Sequence, residues 1–255
     1  MNSPLSGTIA VITGASSGIG AATARSLAQQ GATVVVIARR KGRLDSLVLD
    51  IETSGGKAFA IEADITDRAQ AEQSIATVVN RFGRIDILIN NAGLMLISPI
   101  LDADIDAWER MIAINQKALL YMTHAALPHL LAAAQDGPRE VADIVNISSQ
   151  AGRIATKNFG VYNMTKFGVN GFSESLRQEV TKKNVRIGVL EPGAVATELI
   201  SHNTEEIRES LNATNVDAIH EPLQPEDIAD SVVFMVTRHR RASIAELWAM
   251  PTSQA

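Results

Sequence analysis

Short runs of β-branched and aliphatic residues alternate with longer segments of helical period along almost the whole chain. Thr8–Thr13, Thr33–Ile37, Lys57–Ile61, Ile85–Ile89, Asp143–Ile147 and Arg186–Leu190 read as strands, with a last one at Ser243–Trp248. Between them, an alanine-rich stretch runs to Gln30, where Gly31 stands as a helix terminator, and a second helix begins near Asp67 with Thr66 as its cap. Further helical patterns cover Asp104–Ala134, interrupted at Pro128, a segment ending near Lys182, and Pro225–Val236. Runs that are apolar at nearly every position suit strands covered on both faces. Their alternation with helices predicts an α/β protein with a doubly wound parallel sheet flanked by helices on both faces. No composition break divides the chain, and 255 residues with 46% hydrophobic content suit a single domain over 1–255.

Charge and composition narrow the class. A net charge of −5 gives no basic surplus for nucleic acid or an anionic membrane, so neither is expected as a partner. There is no cysteine, and the five histidines lack metal-ligand spacing, so no metal site is predicted. The amino-terminal MNSPLSG lacks signal-peptide character, and a cytoplasmic location is the expectation.

The first strand runs into Gly14-Ala15-Ser16-Ser17-Gly18-Ile19-Gly20, and a helix follows at once. Small residues let the backbone approach a pyrophosphate, and the helix amino end supplies free N–H groups. The spacing Gly-x-x-x-Gly-x-Gly departs from Gly-x-Gly-x-x-Gly, and no Gly-Lys-Ser/Thr follows, which disfavours a nucleotide hydrolase. The second strand leads to Arg39 and Arg40, where NAD-binding folds carry an acid for the ribose hydroxyl. Arginines there suit a 2′-phosphate, so NADP(H) is the expected cofactor. Asp64-Ile65 after the third strand is placed to meet adenine or to act as an ordinary loop. After the fourth, Asn90 suits a sheet-edge brace, while Asn91, Ala92 and Gly93 leave room for a ribose. Pro192, Gly193, Val195 and Thr197, after the sixth strand, offer backbone groups and a hydroxyl to a carboxamide.

Tyr162 and Lys166 lie four residues apart, on one face of a predicted helix. A phenol beside an ammonium is an acid/base pair, the positive charge drawing the phenol pKa of about 10 toward neutrality. Ser149, at the end of the strand Asp143–Ile147, is placed to donate to the oxygen that Tyr162 protonates. Asn115 sits among Met111, Ile112, Ala118 and Leu119, where its amide needs a partner, either as a brace or in a proton relay. Met95, Leu96, Ile97, Phe159 and Leu199 are candidates for an apolar substrate wall or for core. The polar stretch 198–224 is a candidate lid or surface helix, and Arg153 a candidate carboxylate clamp or surface arginine.

Taken together, TGASSGIG at Thr13–Gly20, NNAG at Asn90–Gly93, Asn115, Ser149, YNMTK at Tyr162–Lys166 and Pro192-Gly193 resemble the short-chain dehydrogenase/reductase family. ARR after the second strand, the segment VYNMTKFGVNGFSESLRQEV and the ending MPTSQA are similar to its clavaldehyde dehydrogenase and NADP-dependent 3-hydroxy acid dehydrogenase group. The resemblance implies a Rossmann-type fold and hydride transfer between NADP(H) and a small carbonyl or alcohol. It also implies roles: Tyr162 as acid or base, Lys166 bonding the nicotinamide ribose, Ser149 holding the substrate oxygen, Asn115 positioning a water. A homodimer or homotetramer is implied as well. The leading expectation is an NADP(H)-dependent carbonyl reductase. The alternatives are oxidation of a 3-hydroxy acid and a non-catalytic NADP(H)-binding sensor.

Overall fold

The computed structural model describes residues 3–211 and 221–254. Its strands are β1 (Ile9–Thr13), β2 (Thr33–Ala38), β3 (Lys57–Glu62), β4 (Ile87–Asn90), β5 (Ala142–Ile147), β6 (Val185–Pro192) and β7 (Glu246–Ala249). The helices are α1 (Gly18–Gln29), α2 (Lys41–Thr53), α3 (Arg68–Phe82), α4 (Ile105–Ile112), α5 (Ala118–Asp136), α6 (Gly160–Val180), α7 (Glu205–Leu211) and α8 (Pro225–Val236). All seven strands pair in parallel, in the order β3-β2-β1-β4-β5-β6-β7.

Alternation along each strand sorts side chains onto two apolar layers. Ala10 and Ile12 of β1 pack with Leu27, Leu44, Leu47, Ile51, Ile228 and Val232, the inner faces of α1, α2 and α8. Ile9 and Val11 point the other way, onto Ile75, Val78, Met122, Leu130 and Leu176 of α3, α5 and α6. The predicted doubly wound sheet is therefore the observed one. Its order reverses between β1 and β4, and the crevice beyond their carboxyl ends is where such sheets bind ligands.

Local departures from the expectation have local causes. Asp67, not Thr66, caps α3, its carboxylate accepting from Gln70 N–H at 3.0 Å. Thr66 instead turns back to Asp64, its hydroxyl 2.7 Å from Oδ1. Ile85 precedes its strand, which starts at Ile87, and the Asp86 carboxylate between them holds Ile9 N–H at 2.9 Å and pairs with Arg84. Pro128 sits inside α5 without ending it, and the discontinuity falls earlier, in a π-helical turn at Ala113–Lys117. Of the 198–224 stretch, Ile200–His202 and α7 are ordered turns of helix, and Leu223 bonds back to Ala194 and Ala196. Residues 212–220 of that stretch lie outside the described residues. Among the described residues, no helix is long and apolar enough to cross a membrane.

Candidate active site

A cleft of 1190 Å³ opens over the carboxyl ends of β1, β2, β4, β5 and β6. That exceeds the roughly 300–1,000 Å³ of a site for one drug-sized ligand, leaving room for a dinucleotide and a small second molecule. One end is the glycine turn. Gly14 has φ +65°, and a Cβ there would stand 2.7 Å from Ala92 Cα, so the β1 turn and the β4 loop touch backbone to backbone. Ser17 is the N-cap of α1 but makes no capping bond, which leaves that helix end free to face an anion. Thr13 fixes the opposite wall, its Oγ1 accepting from Asn91 N–H at 3.0 Å and Ala92 N–H at 3.1 Å.

Of the sequence-predicted cofactor residues, Gly14, Ser16, Ser17, Gly18, Ile19, Arg39, Arg40, Asp64, Ile65, Asn91, Ala92, Gly93, Pro192, Gly193, Val195 and Thr197 line the cleft, with Ser149, Tyr162 and Lys166. Gly20 does not. It lies behind the wall, where a Cβ would come 2.6 Å from the Gly14 carbonyl, so its smallness serves helix-to-turn packing.

Tyr162 and Lys166 project from one face of α6, both buried, with Nζ 5.8 Å from the Tyr162 ring centroid. Lys166 Nζ donates to the Ile147 carbonyl at 2.9 Å, which anchors the ammonium to the end of β5. Burial pushes the Tyr162 hydroxyl up to about 12, with neighbouring Ser149 pulling the other way. Burial lowers Lys166 to about 8. The expected downward drift of the phenol is thus reversed, because desolvation outweighs the interactions that favour phenolate. At neutral pH the site holds a protonated phenol facing Ser149, beside a lysine that is still mostly charged and loses its proton just above neutrality.

Asn115 sits buried inside the π turn, its Oδ1 3.7 Å from where a Cβ on cleft-lining Gly93 would stand. Its Oδ1 accepts from Leu94 N–H at 2.8 Å, and its Nδ2 donates to the Leu94 carbonyl at 2.9 Å and to Thr165 Oγ1 at 3.1 Å. These bonds brace the site: they tie the loop after β4 to α6, one residue before Lys166. Asn90 braces likewise, donating to Thr123 Oγ1 and Asn146 Oδ1, each at 2.9 Å.

Arg40 curls under the glycine turn, its guanidinium bonding Ser16 Oγ at 2.8 and 3.0 Å and Ser17 Oγ at 2.7 Å. Arg39 is largely exposed, 3.9 Å from Asp64. Met95, Phe159 and Leu199 line the opposite end of the cleft, whereas Leu96 and Ile97 pack beneath it in the cluster around Met111. Arg153 points elsewhere. It pairs with buried Glu191 at 2.7 Å and with Glu246, so neither a carboxylate clamp nor a free surface arginine describes it. The carboxyl-terminal tail also takes part, though nothing in its composition signals it. Met250, Ser253 and Gln254 line the cleft, and Gln254 Oε1 accepts from Ala194 N–H at 2.9 Å, steadying the loop after β6.

A family profile for short chain dehydrogenases matches residues 8–208. The chain belongs to that family. It is 35% identical over 251 residues to an uncharacterized oxidoreductase of Staphylococcus saprophyticus, covering 97% of each. It is also 35% identical to the glycine betaine reductase ATRR of Emericella nidulans, over 98% of this chain but only 19% of that much longer protein. Among solved structures, the closed form of serine dehydrogenase complexed with NADP+ superposes with TM-score 0.86 at 33% identity, covering 97% of this chain and 96% of that one.

Proposed function

We propose that this protein is an NADP(H)-dependent oxidoreductase interconverting a small aldehyde or ketone with its alcohol. The observation that carries the reading is the convergence of Ser149, Tyr162 and Lys166 at one end of a cleft whose other end is an uncapped helix terminus beside Arg40. The chain's own groups fit the cofactor: the glycine turn and α1 for the pyrophosphate, Arg39 and Arg40 for the 2′-phosphate, Asp64 and Ile65 for adenine. Gly93 and Lys166 would take the nicotinamide ribose, and the Pro192–Thr197 loop the carboxamide. When bound, the nicotinamide supplies or accepts hydride. The serine dehydrogenase relative's NADP+ supports the choice of dinucleotide.

The protein's part of the chemistry is proton transfer. With a hydroxyl at about 12, Tyr162 stays protonated at neutral pH and is ready as the acid in carbonyl reduction. Ser149 holds the same oxygen, and charged Lys166 eases the departure of the proton. In the oxidative direction the phenol must first lose its proton, so that direction speeds up as pH rises. Asn115 holds the Leu94 backbone and α6 in register, and a water relayed toward Lys166 would sit beside it. Met95, Phe159 and Leu199 favour a substrate with an apolar part. The 3-hydroxy acid alternative loses Arg153 as its carboxylate clamp. Exposed Ile105, Leu120, Met164 and Phe167 on α4, α5 and α6 support a homodimer or homotetramer.

The direct test is loss of NADPH fluorescence with a panel of aldehydes and ketones. Turnover of at least one is the expected result, and NADPH binding without turnover of any would favour a sensor. For the cofactor, Arg40→Ala should weaken NADPH by about 10- to 100-fold, the loss of one charge-assisted hydrogen-bonding partner, and NADH by much less. Equal loss for both, measured as dissociation constants, would remove the 2′-phosphate from Arg40.

A further inference from the structure

Glu198 follows Thr197 in the loop after β6, yet its carboxylate lies beside the turn after β2. Oε2 accepts from Arg40 Nη1 at 2.9 Å and Oε1 accepts from Arg43 Nη1 at 2.6 Å. The same Arg40 guanidinium holds Ser16 and Ser17 with its other nitrogens. One carboxylate therefore bridges two guanidinium groups at the mouth of the cleft, where the glycine turn and the arginines converge. These two hydrogen bonds hold the Glu198 carboxyl far down, at about 2, so it stays an anion at any working pH.

An anion spanning two arginines fills the place and the charge role that a 2′-phosphate needs. We propose that Glu198 is a built-in competitor for the 2′-phosphate, a latch from the β6 loop that occupies Arg40 and Arg43 and is displaced when NADP(H) binds. This rests on the reading of NADP(H) as cofactor and adds two residues to it: Arg43 as a further phosphate partner beside Arg39 and Arg40, and Glu198 as the group that sets how tightly the phosphorylated dinucleotide binds. The three side chains are each about half exposed, between 43% and 51%, so the pair can open without disturbing the core. Thr197, the next residue back, packs against the glycine turn, its Cγ2 standing 3.2 Å from where a Cβ on Gly18 would be. That contact keeps the latch within reach after release. A non-phosphorylated dinucleotide has no group to exchange for Glu198 and leaves the latch closed.

Calorimetric titration with 2′,5′-ADP and with 5′-ADP isolates the effect from catalysis. Glu198→Gln should tighten 2′,5′-ADP by about three- to fivefold, the upper scale of an exposed ion pair no longer in competition, while changing 5′-ADP by less than twofold. Stopped-flow association of NADPH should quicken in the same variant. Unchanged or weaker 2′,5′-ADP binding, or an equal gain for both ligands, would overturn the latch while leaving the cofactor assignment standing. A wild-type protein that binds the two ligands equally would instead overturn the cofactor assignment, and the latch with it.

Discussion

Tyr162→Phe should keep the fold and lower kcat for carbonyl reduction by about 10²- to 10⁴-fold, the range over which a positioned general acid acts. The ring is buried against Phe159, Met95 and Ala151, and phenylalanine fills the same space. Only the hydroxyl that faces Ser149 is lost. NADPH should still bind, because the pyrophosphate and 2′-phosphate ends of the cleft are untouched. Steady-state kinetics together with fluorescence titration check both halves of the expectation. Wild-type turnover in the phenylalanine variant would mean that the proton comes from elsewhere, and the catalytic assignment would fall.

The pH profile is a second reading of the same groups. Tyr162 keeps its proton to about 12, so it does not limit reduction near neutrality. Lys166 loses its charge as pH passes about 8, and with it the positive field that eases proton departure. Reduction should therefore fall above about pH 8, while oxidation gains from removal of the phenolic proton. The sequence expectation assumed that the ammonium alone would set the phenol. Burial of both groups, which spacing along a helix does not reveal, changed the direction.

The sheet was legible because burial on both faces leaves long apolar runs, and the glycine turn because close backbone approach tolerates nothing larger than glycine at Gly14 and Gly20. Lys166 and Tyr162 were legible from their spacing on α6. What the sequence hid falls into two kinds. The π turn at Ala113–Lys117 carries no break in apolar pattern, so the adjustment that seats Asn115 on Leu94 was invisible. Contacts between distant segments were hidden too: Glu198 meets Arg40 across 158 positions, and Gln254 meets Ala194 across 60. Arg153 misled for a related reason. It is close to Ser149 in sequence, but the 3-10 turn Gln150–Gly152 carries it to Glu191 and Glu246 on the far side.

Lys166→Met should abolish most activity and at the same time stabilise the protein. Lys166 is only 6% exposed, and carrying its charge in that position costs on the order of 3 kcal/mol, judged from its fall from 10.5 to about 8. Methionine fills a similar volume without charge and gives up one charge-assisted hydrogen bond to the Ile147 carbonyl, worth about 1.5 to 2 kcal/mol at the low end of the range for a charged donor. The balance is a gain of about 1 to 2 kcal/mol at neutral pH, or roughly 2 to 8 °C in Tm for a chain of this size. The gain has a pH signature. Because the folded value lies below the unfolded one, the unfolded chain binds more protons between about 8 and 10.5, and wild-type stability rises with pH across that window. The variant lacks this rise, so its advantage should shrink from pH 8 to 10.5. Above 10, Tyr162 acts oppositely in both proteins, its raised folded value making stability fall toward 12. Denaturant titrations at pH 7 and pH 10 separate these contributions. A variant no more stable than wild type at pH 7 would show that the lysine's charge is already compensated in the folded protein, and a site that gives up stability to keep an ammonium beside Tyr162 would no longer describe it.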